Sequence, residues 1–375
     1  MPIGPRPFRP TGLSLLAALL LSACAGAATP PPAPGAFLVG ADISALPTHE
    51  NHGAMYLENG HPMDAVALLR RHGFNAFRLR LFVHPNHEGI VDNDLSYTLA
   101  LARRVRASGA RFLLDLHYSD TWADPSRQSK PASWASLPFT ELVRRVRTYT
   151  RDTLARFAAE GVTPDYVQIG NEITNGMLWP DGRVDFSKSG DSAAWDRLAQ
   201  LLKAGADGID EALPAGKRPA ILLHIESVGN LPRTKWWIGN LLSHHVPFDL
   251  IGFSYYPEWH GSLTDLRAAL DWTATATGRP VLVAETAYPW HPDAHFANIA
   301  GRLAFPVTPA GQRSFLDALA ATVRAVPGGR GAGVFYWYPE AVPTPDLFVW
   351  LGGACALFDQ HGELLPAASF ARDLR

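Results

Sequence analysis

Two glutamates stand where apolar runs of the sequence end. Glu172 follows the run 165–170, and Glu285 closes the run 280–285. A carboxylate at the end of an apolar strand is costly to bury unless it has a partner or a task. Two facing carboxylates suit hydrolysis of a glycosidic bond, because one protonates the leaving oxygen while the other attacks the anomeric carbon or activates water. The alternative for each glutamate is a structural role, such as an ion pair with arginine or hydrogen bonds from backbone N–H groups.

Other polar and aromatic side chains occur within or just after apolar runs of the same kind: Arg78, Arg80, His117, Tyr118, Asp120, Tyr255, Tyr256 and Trp337. An arginine beside the attacking carboxylate would keep that carboxylate ionised. A tryptophan would offer an apolar face to a sugar ring. Singly, each has a plain alternative, since Arg80 could serve a salt bridge, His117 a buried hydrogen bond and Trp337 the core.

The apolar runs alternate with amphipathic stretches along the chain. Strands are predicted at 37–43, 75–82, 111–116, 165–170, 220–225, 249–254, 280–285 and 332–337, and helices near 62–72, 96–108, 138–160, 191–213, 233–244, 262–277, 308–326 and 365–374. Nearly continuous apolar strands separated by helices indicate a parallel sheet covered on both faces. Eight such units predict an α/β fold, a (β/α)8 TIM barrel in one domain over 37–375. A doubly wound open sheet is the alternative, but no glycine-rich dinucleotide fingerprint follows the first strand.

The N-terminus reads as an export signal. Residues 1–23 combine two arginines with an apolar run too short to span a bilayer, and Leu21-Ser22-Ala23-Cys24 resembles the lipobox of bacterial lipoproteins. We therefore expect lipidation at Cys24, a Pro/Ala-rich tether over 24–36, and a protein exported to the cell envelope, facing the periplasm or the cell surface. An ordinary signal cleaved near Ala28, giving a secreted protein, is the alternative.

Composition excludes several classes of protein. The 375 residues carry 33 Lys and Arg against 35 Asp and Glu, so no broad basic surface suggests a nucleic-acid partner. Two cysteines cannot staple a chain of this length, and with Cys24 lipidated Cys355 would have no disulfide partner. After residue 36, no apolar run is long enough for a membrane helix. Any membrane contact is therefore expected through the lipid anchor alone.

Several longer motifs resemble those of glycoside hydrolase family 53, the arabinogalactan endo-β-1,4-galactanases. The matching stretches run in order through nearly the whole chain after the tether: GADIS (40–44), NAFRLRLF (75–82), LDLHYSDTWADP (114–125) with Gln128, Lys130 and Pro131, VQIGNEITNGMLWPDG (167–182), IGFSYYPEWHG (251–261), VAETAYPW (283–290) and ALFDQHGELLP (356–366). The motifs around 114–131 and 167–182 are long enough to be specific.

The resemblance implies a retaining double displacement on a neutral polysaccharide, the β-1,4-galactan side chains of pectin. Glu172 would be the general acid/base and Glu285 the nucleophile. Asn171 would bind the sugar 2-hydroxyl. The other implied substrate contacts are Arg78 and His117, holding the nucleophile and the −1 sugar, Tyr256, contacting the nucleophile in preference to Tyr255, and the aromatic platforms Trp122, Trp179, Trp259, Trp290 and Trp337.

The resemblance implies no required cofactor, because two carboxylates suffice for the reaction. A structural calcium is an open possibility near the last two strands, where Asp293, His295 and Asn298 could supply ligands, although their spacing matches no calcium motif. The alternative function is a non-catalytic, carbohydrate-binding surface lipoprotein. That alternative would explain the tether and the tryptophans but not two opposed carboxylates beside an arginine and a histidine.

Overall fold

Eight parallel strands close into a barrel in which each strand hydrogen-bonds to its neighbours in chain order and the last pairs with the first. The computed structural model describes residues 36–374, together with residues 1, 2 and 4. The strands are β1 (Leu38–Asp42), β2 (Ala76–Leu81), β3 (Arg111–Leu116), β4 (Tyr166–Ile169), β5 (Ala220–Ile225), β6 (Leu250–Ser254), β7 (Val281–Thr286) and β8 (Gly331–Trp337). The predicted (β/α)8 barrel is confirmed.

Helices lie between the strands. They are α1 (Ala65–Arg71), α2 (Leu95–Ala107), α3 (Phe139–Ala159), α4 (Ser192–Ala212), α5 (Leu231–Ser243), α6 (Leu263–Thr277) and α7 (Pro309–Arg324). Most begin at a polar side chain that accepts a hydrogen bond from a backbone N–H of the first turn, which satisfies a donor that the helix itself leaves unpaired: Asp64, Asp94, Asp191, Asn230, Ser262 and Thr308.

The last unit departs from the prediction. The segment 365–374 was expected to be an α-helix, but Pro366–Leu374 is a 3-10 helix. Its buried side chains are Ala367, Ala368, Phe370 and Ala371, so the segment still packs one face against the protein.

The barrel interior is packed rather than hollow. A cluster of apolar side chains from seven of the strands fills it: Leu38, Ala76, Leu113, Leu222, Leu250, Leu282, Ala284 and Phe335. Gly40 lies opposite Phe335 in the register of β1 and β8. A Cβ atom at Gly40 would lie 2.2 Å from the Phe335 ring, so a glycine is required for that ring to enter the interior.

Several short elements were not predicted. A helix (Leu46–Asn51) follows β1, and helices Pro257–His260 and Ala294–Ala297 follow β6 and β7. Two small hairpins pair Leu57–Glu58 with His61–Pro62 and Gly176–Met177 with Gly182–Arg183. Short 3-10 turns cover 132–134, 173–175, 186–188, 227–229, 300–302, 327–329 and 350–353. Most of these elements lie in the loops that follow strands, which is where a barrel places its site.

Residues 36–374 fold as one compact unit built on the barrel. Most of the predicted signal (1–23), the lipidation site at Cys24 and nearly all of the tether (24–36) lie outside the described residues. Within the described part of the chain, no helix combines the length and the apolar character needed to cross a bilayer. Cys355 is a buried free thiol, and burial raises its pKa well above the ordinary value.

Candidate active site

A cleft of about 1230 Å³ opens at the carboxyl ends of the strands. Segments that follow six of the eight strands contribute to its walls, and β7 contributes Glu285 from its own carboxyl end. Both predicted catalytic glutamates, Glu172 and Glu285, therefore line it. The cleft is larger than the roughly 300–1,000 Å³ that is usual for small-molecule sites. Its size therefore suits a ligand of several linked units.

The Glu285 carboxylate is held at both oxygens. Arg78 Nη1 donates to Oε2 at 3.0 Å, and the Tyr256 hydroxyl donates to Oε1 at 2.8 Å. Glu285 is only 7% exposed. The structure therefore brings together three of the residues predicted from sequence, and it places Tyr256 rather than Tyr255 on this carboxylate. The Tyr255 hydroxyl donates instead to the Gly261 carbonyl oxygen.

Arg78 is completely buried and uses all three of its nitrogens. Besides Glu285, Nη1 donates to Asp42 (3.1 Å), while Nη2 donates to Asp115 (2.8 Å) and to the Asn171 side-chain oxygen (2.7 Å). Nε donates to the Gln168 side-chain oxygen at 3.2 Å. A guanidinium offers five N–H groups in a fixed plane. Five oxygens from five different residues surround it here.

Glu172 occupies a sharp turn just after β4. Its φ angle is 48°, in the left-handed region that side chains other than glycine rarely adopt. Its Oε1 lies 2.5 Å from the Ser254 hydroxyl, and that hydroxyl lies 2.9 Å from Nε2 of His224. Ser254 and His224 are both fully buried.

The two glutamates have different electrostatic surroundings. Burial, and then repulsion from Glu285, raise the pKa of Glu172 well above its ordinary value. Burial also raises the pKa of Glu285, but Arg78 and the Tyr256 hydroxyl oppose that rise. Because only Glu285 has a guanidinium against it, Glu285 is the carboxyl that ionises first and Glu172 is the one that keeps its proton.

Three of the five predicted tryptophan platforms line the cleft. Trp122 and Trp337 pack edge to face with ring centroids 5.9 Å apart. The buried Arg80 guanidinium lies 4.2 Å from the Trp122 ring centroid and 5.6 Å from that of Trp337. Trp259 also lines the cleft, beside Tyr256, and is 55% exposed. Two rings packed against each other and one exposed ring are suited to stacking on sugars.

Trp179, Trp290 and His117 do not line the cleft. The indole N–H of Trp179 donates to the Asn175 carbonyl oxygen, and that of Trp290 donates to Gly353. Both rings therefore pack within loops. Nε2 of His117 lies 3.0 Å from Asp115, and Nδ1 accepts a hydrogen bond from the Ala123 N–H. His117 is thus linked to Glu285 through Asp115 and Arg78.

Sequence reasoning missed the residues that support this site, namely Asp42, Asp115, Gln168, His224 and Ser254. Each is a polar side chain inside an otherwise apolar strand, close to its carboxyl end. That position is the signal that could have singled them out, because a buried polar group requires a partner. Trp350, which also lines the cleft, lies in a long loop and carried no comparable signal.

The three residues suggested as calcium ligands contact neighbouring residues of the protein. Asp293 accepts from the Phe296 N–H as a helix cap, and the Asn298 amide donates to the Ala294 carbonyl oxygen. The His295 ring packs beside Trp259 and Phe296. In the described part of the chain, no three His, Cys, Asp or Glu side chains are grouped to hold a metal ion.

A closed (β/α)8 barrel with two carboxyls of unequal acidity in one cleft at its carboxyl face is the arrangement of a glycoside hydrolase. The family model of glycosyl hydrolase family 53 matches residues 38–371. The chain therefore belongs to glycosyl hydrolase family 53 and is a glycoside hydrolase, which does not support the non-catalytic alternative.

Individual relatives agree with this assignment. The chain is 38% identical over 325 residues to a probable arabinogalactan endo-beta-1,4-galactanase A of Aspergillus terreus, covering 84% of this chain and 88% of that protein. It is 33% identical over 341 residues to an arabinogalactan endo-beta-1,4-galactanase of Humicola insolens, covering 88% and 97%. The structure superimposes on the Ignisphaera aggregans GH53 catalytic domain with a TM-score of 0.84 and 33% identity, covering 92% and 98%.

Replacing Tyr256 with phenylalanine should move the acidic limb of the pH profile upward. The hydroxyl donates to the ionised form of Glu285 and so lowers the pKa of that carboxyl. Without the hydroxyl, Glu285 should ionise only at a pH about one unit higher, the equivalent of one lost hydrogen bond. The measurement is kcat/KM of hydrolysis against pH.

Tyr255→Phe is the matched control, since the Tyr255 hydroxyl donates to a backbone carbonyl away from Glu285. Its acidic limb should stay where the unmodified protein has it. Equal shifts in both variants, or no shift in Tyr256→Phe, would contradict the assignment of Tyr256 as the donor to Glu285.

Proposed function

We propose that the protein is a retaining endo-β-1,4-galactanase that acts by double displacement. Glu285 attacks the anomeric carbon while Glu172 protonates the departing glycosidic oxygen. A covalent galactosyl-enzyme forms on Glu285. Glu172 then takes a proton from water, and the water releases the sugar with its original configuration. No cofactor is required, because the two carboxyls supply both the nucleophile and the proton.

The observation that carries this proposal is the unequal surroundings of the two carboxyls. Both oxygens of Glu285 accept charge-assisted or hydroxyl hydrogen bonds, from Arg78 and Tyr256. Glu172 has no cation of its own in hydrogen-bond contact and is repelled by Glu285. Pushing the acidities of two carboxyls apart is how a hydrolase assigns one as acid and the other as nucleophile.

Asn171 is suited to contact the sugar bound at the nucleophile. Its side-chain oxygen accepts from Arg78, and one hydrogen of its amide nitrogen goes to the Ala123 carbonyl oxygen. The second amide hydrogen has no acceptor among the described residues, and Asn171 lines the cleft. We propose that this hydrogen binds the 2-hydroxyl of the sugar at subsite −1, where such a contact strengthens in the transition state.

The substrate class follows from the cleft and from the relatives. The Aspergillus terreus and Humicola insolens relatives are named as arabinogalactan endo-beta-1,4-galactanases, the first as a probable one. Trp122, Trp337 and Trp259 supply stacking faces, while the chain as a whole is close to neutral with a formal charge of −2. A neutral polymer such as the β-1,4-galactan side chains of pectin is bound by stacking and hydrogen bonds rather than by a charged field. The wide cleft suits binding in the middle of such a chain.

Chemical rescue tests the two carboxylate roles. Glu285→Ala should be inactive, and azide should restore turnover of an activated aryl β-galactoside with formation of the α-galactosyl azide. Glu172→Ala should lose about 10²–10⁴-fold in kcat on galactan, the usual contribution of a general acid, and azide should yield the β-galactosyl azide. The anomers are distinguished by NMR.

Glu226→Gln is the control, because Glu226 is another carboxyl of the same cleft. It should keep kcat within about tenfold and gain nothing from azide, since the displacement mechanism assigns only two carboxyls a role. Release of the inverted sugar by the unmodified enzyme would disprove the retaining mechanism. Formation of the β-azide by Glu285→Ala and of the α-azide by Glu172→Ala would show that the two glutamates have exchanged roles.

A time course on linear β-1,4-galactan tests the endo mode and the linkage. Early products should be oligosaccharides of mixed length, accompanied by a rapid fall in viscosity, because an open cleft binds the polymer at internal positions. A β-1,3-linked galactan should be cleaved much more slowly. One short product from the first time point would show exo or processive action instead.

We also propose that the protein is exported and anchored by lipid at Cys24, on the strength of the lipobox-like Leu21–Cys24 segment. Mass spectrometry of the mature protein from a bacterial membrane fraction should find a lipid-modified cysteine at its N-terminus. Cys24→Ala should move the enzyme out of the membrane fraction with its activity unchanged. A mature, unmodified N-terminus near Ala28 would establish an ordinary signal instead.

A further inference from the structure

A chain of hydrogen-bonded groups runs from Glu172 into the barrel wall. Oε1 of Glu172 lies 2.5 Å from the Ser254 hydroxyl, which lies 2.9 Å from Nε2 of His224. Nδ1 of His224 lies 2.9 Å from the side-chain oxygen of Asn171. Ser254 closes β6 and His224 lies near the end of β5, so adjacent strands build the chain. Neither residue lines the cleft, and the reaction as proposed above assigns them no part.

The orientation of the Asn171 amide fixes one end of this chain. Arg78 Nη2 lies 2.7 Å from one side-chain atom of Asn171 and can only donate, so that atom is the oxygen. The other atom faces the Ala123 carbonyl oxygen at 2.8 Å and must be the nitrogen. Asn171 therefore presents an acceptor to His224.

Nδ1 of His224 must then carry a hydrogen. A bare nitrogen 2.9 Å from a carbonyl oxygen would set two lone pairs against each other. The Gln168 amide nitrogen also lies 3.2 Å from Nδ1, but its hydrogens have oxygen acceptors on Asp115 at 2.6 Å and Gly170 at 3.0 Å.

The ring of His224 is neutral. Burial, and then the positive charge of Arg78, lower its pKa well below the ordinary value, with further contributions from His117 and His260. A neutral imidazole with a hydrogen on Nδ1 has a lone pair on Nε2. Nε2 is therefore an acceptor directed at the Ser254 hydroxyl.

The Ser254 hydroxyl thus has two possible acceptors, Nε2 and the Glu172 carboxyl, but only one proton. We propose that Ser254 and His224 are positioning residues that stabilise the protonated form of Glu172. When Glu172 is protonated, it donates to Ser254 and Ser254 donates to Nε2, so every group is satisfied. When Glu172 is ionised, Ser254 must turn its proton to the carboxylate, and Nε2 loses its donor.

This inference rests on the proposed role of Glu172 as the acid, and it adds a reason for that role. The proton balance of the reaction is unchanged: the Glu172 proton goes to the leaving oxygen and is regained from the attacking water. No proton enters or leaves the Ser254–His224 pair. The pair reorients one hydroxyl between the two steps.

Other charges also act on Glu172 and on His224. Glu285 and Glu226 face Glu172 and favour its protonated form, while Arg78 favours the ionised form. Those charges are independent of Nε2. A change confined to Nε2 therefore isolates the contribution of the pair.

Two substitutions at position 224 separate the ends of the ring. His224→Asn retains an N–H group near Nδ1 for Asn171 but places nothing against Ser254. His224→Gln retains a polar acceptor near Nε2. The alkaline limb of kcat/KM, which reports loss of the Glu172 proton, should move down by about one pH unit in His224→Asn, the equivalent of one hydrogen bond. It should stay in place in His224→Gln.

The same His224→Asn change should have no effect on the limb in a Ser254→Ala background, because the coupling passes through the hydroxyl. An unmoved limb in His224→Asn, or an equal shift with and without Ser254, would overturn the proposal. Thermal unfolding of each variant measures any loss of fold stability. A substitution that only destabilises the fold should lower the activity without moving the alkaline limb.

A measurement on the unmodified protein needs neither a variant nor a substrate. Nitrogen-15 NMR of labelled histidines should find His224 neutral with its hydrogen on Nδ1, and its Nε2 resonance should change as Glu172 titrates. A hydrogen on Nε2 would overturn the proposal, because Ser254 could then donate only to Glu172. Inactivity on galactan beside the expected NMR result would count against the proposed substrate and not against the pair.

Discussion

The buried guanidinium of Arg78 is the constraint on which the rest of the site depends. A charge removed from water is tolerated only when its N–H groups are matched by hydrogen-bond acceptors. Three carboxylates, Asp42, Asp115 and Glu285, and two amide oxygens meet that need. They come from or directly follow β1, β3, β4 and β7, so the guanidinium ties together strands from around much of the barrel.

This arrangement sets which of the two carboxyls in the cleft is stabilised in its ionised form. Glu285 is the one partner of Arg78 that lines the cleft as a carboxylate, and its other oxygen is bound by Tyr256. Glu172 lies in the same low-dielectric cleft, where the negative charge of Glu285 discourages a second one. The barrel thus gives two identical side chains different acidities by placing one cation close to one of them.

The positions of the eight strands could be predicted from the sequence, because each strand is a short apolar run followed by polar residues. The sequence also singled out Glu172, Glu285, Arg78 and Tyr256 as candidates, since each lies within, at the end of or just after such a run. It could not show that Trp179 and Trp290 turn into their own loops, because a loop's path depends on contacts distant in sequence, such as that of Trp290 with Gly353. Sequence reasoning missed Gln168, which contacts Arg78, and His224, which contacts Ser254. The sequence shows that each is a polar residue within a strand but does not show which residue it contacts.

Asn171 joins the two halves of the site at a single atom. Its side-chain oxygen accepts from Arg78, which binds Glu285, and lies 2.9 Å from Nδ1 of His224, which leads through Ser254 to Glu172. The same contact that orients the Asn171 amide against Arg78 therefore decides which nitrogen of His224 is bare. Arg78 favours the ionised form of Glu285 through a direct contact, and its charge also favours the ionised form of Glu172. On the proposal above, the Asn171 amide and the His224 imidazole oppose that second effect by stabilising the protonated form of Glu172. A single buried cation is thus linked to the two carboxyls in different ways, because it contacts Glu285 and is separated from Glu172 by a chain of directional hydrogen bonds.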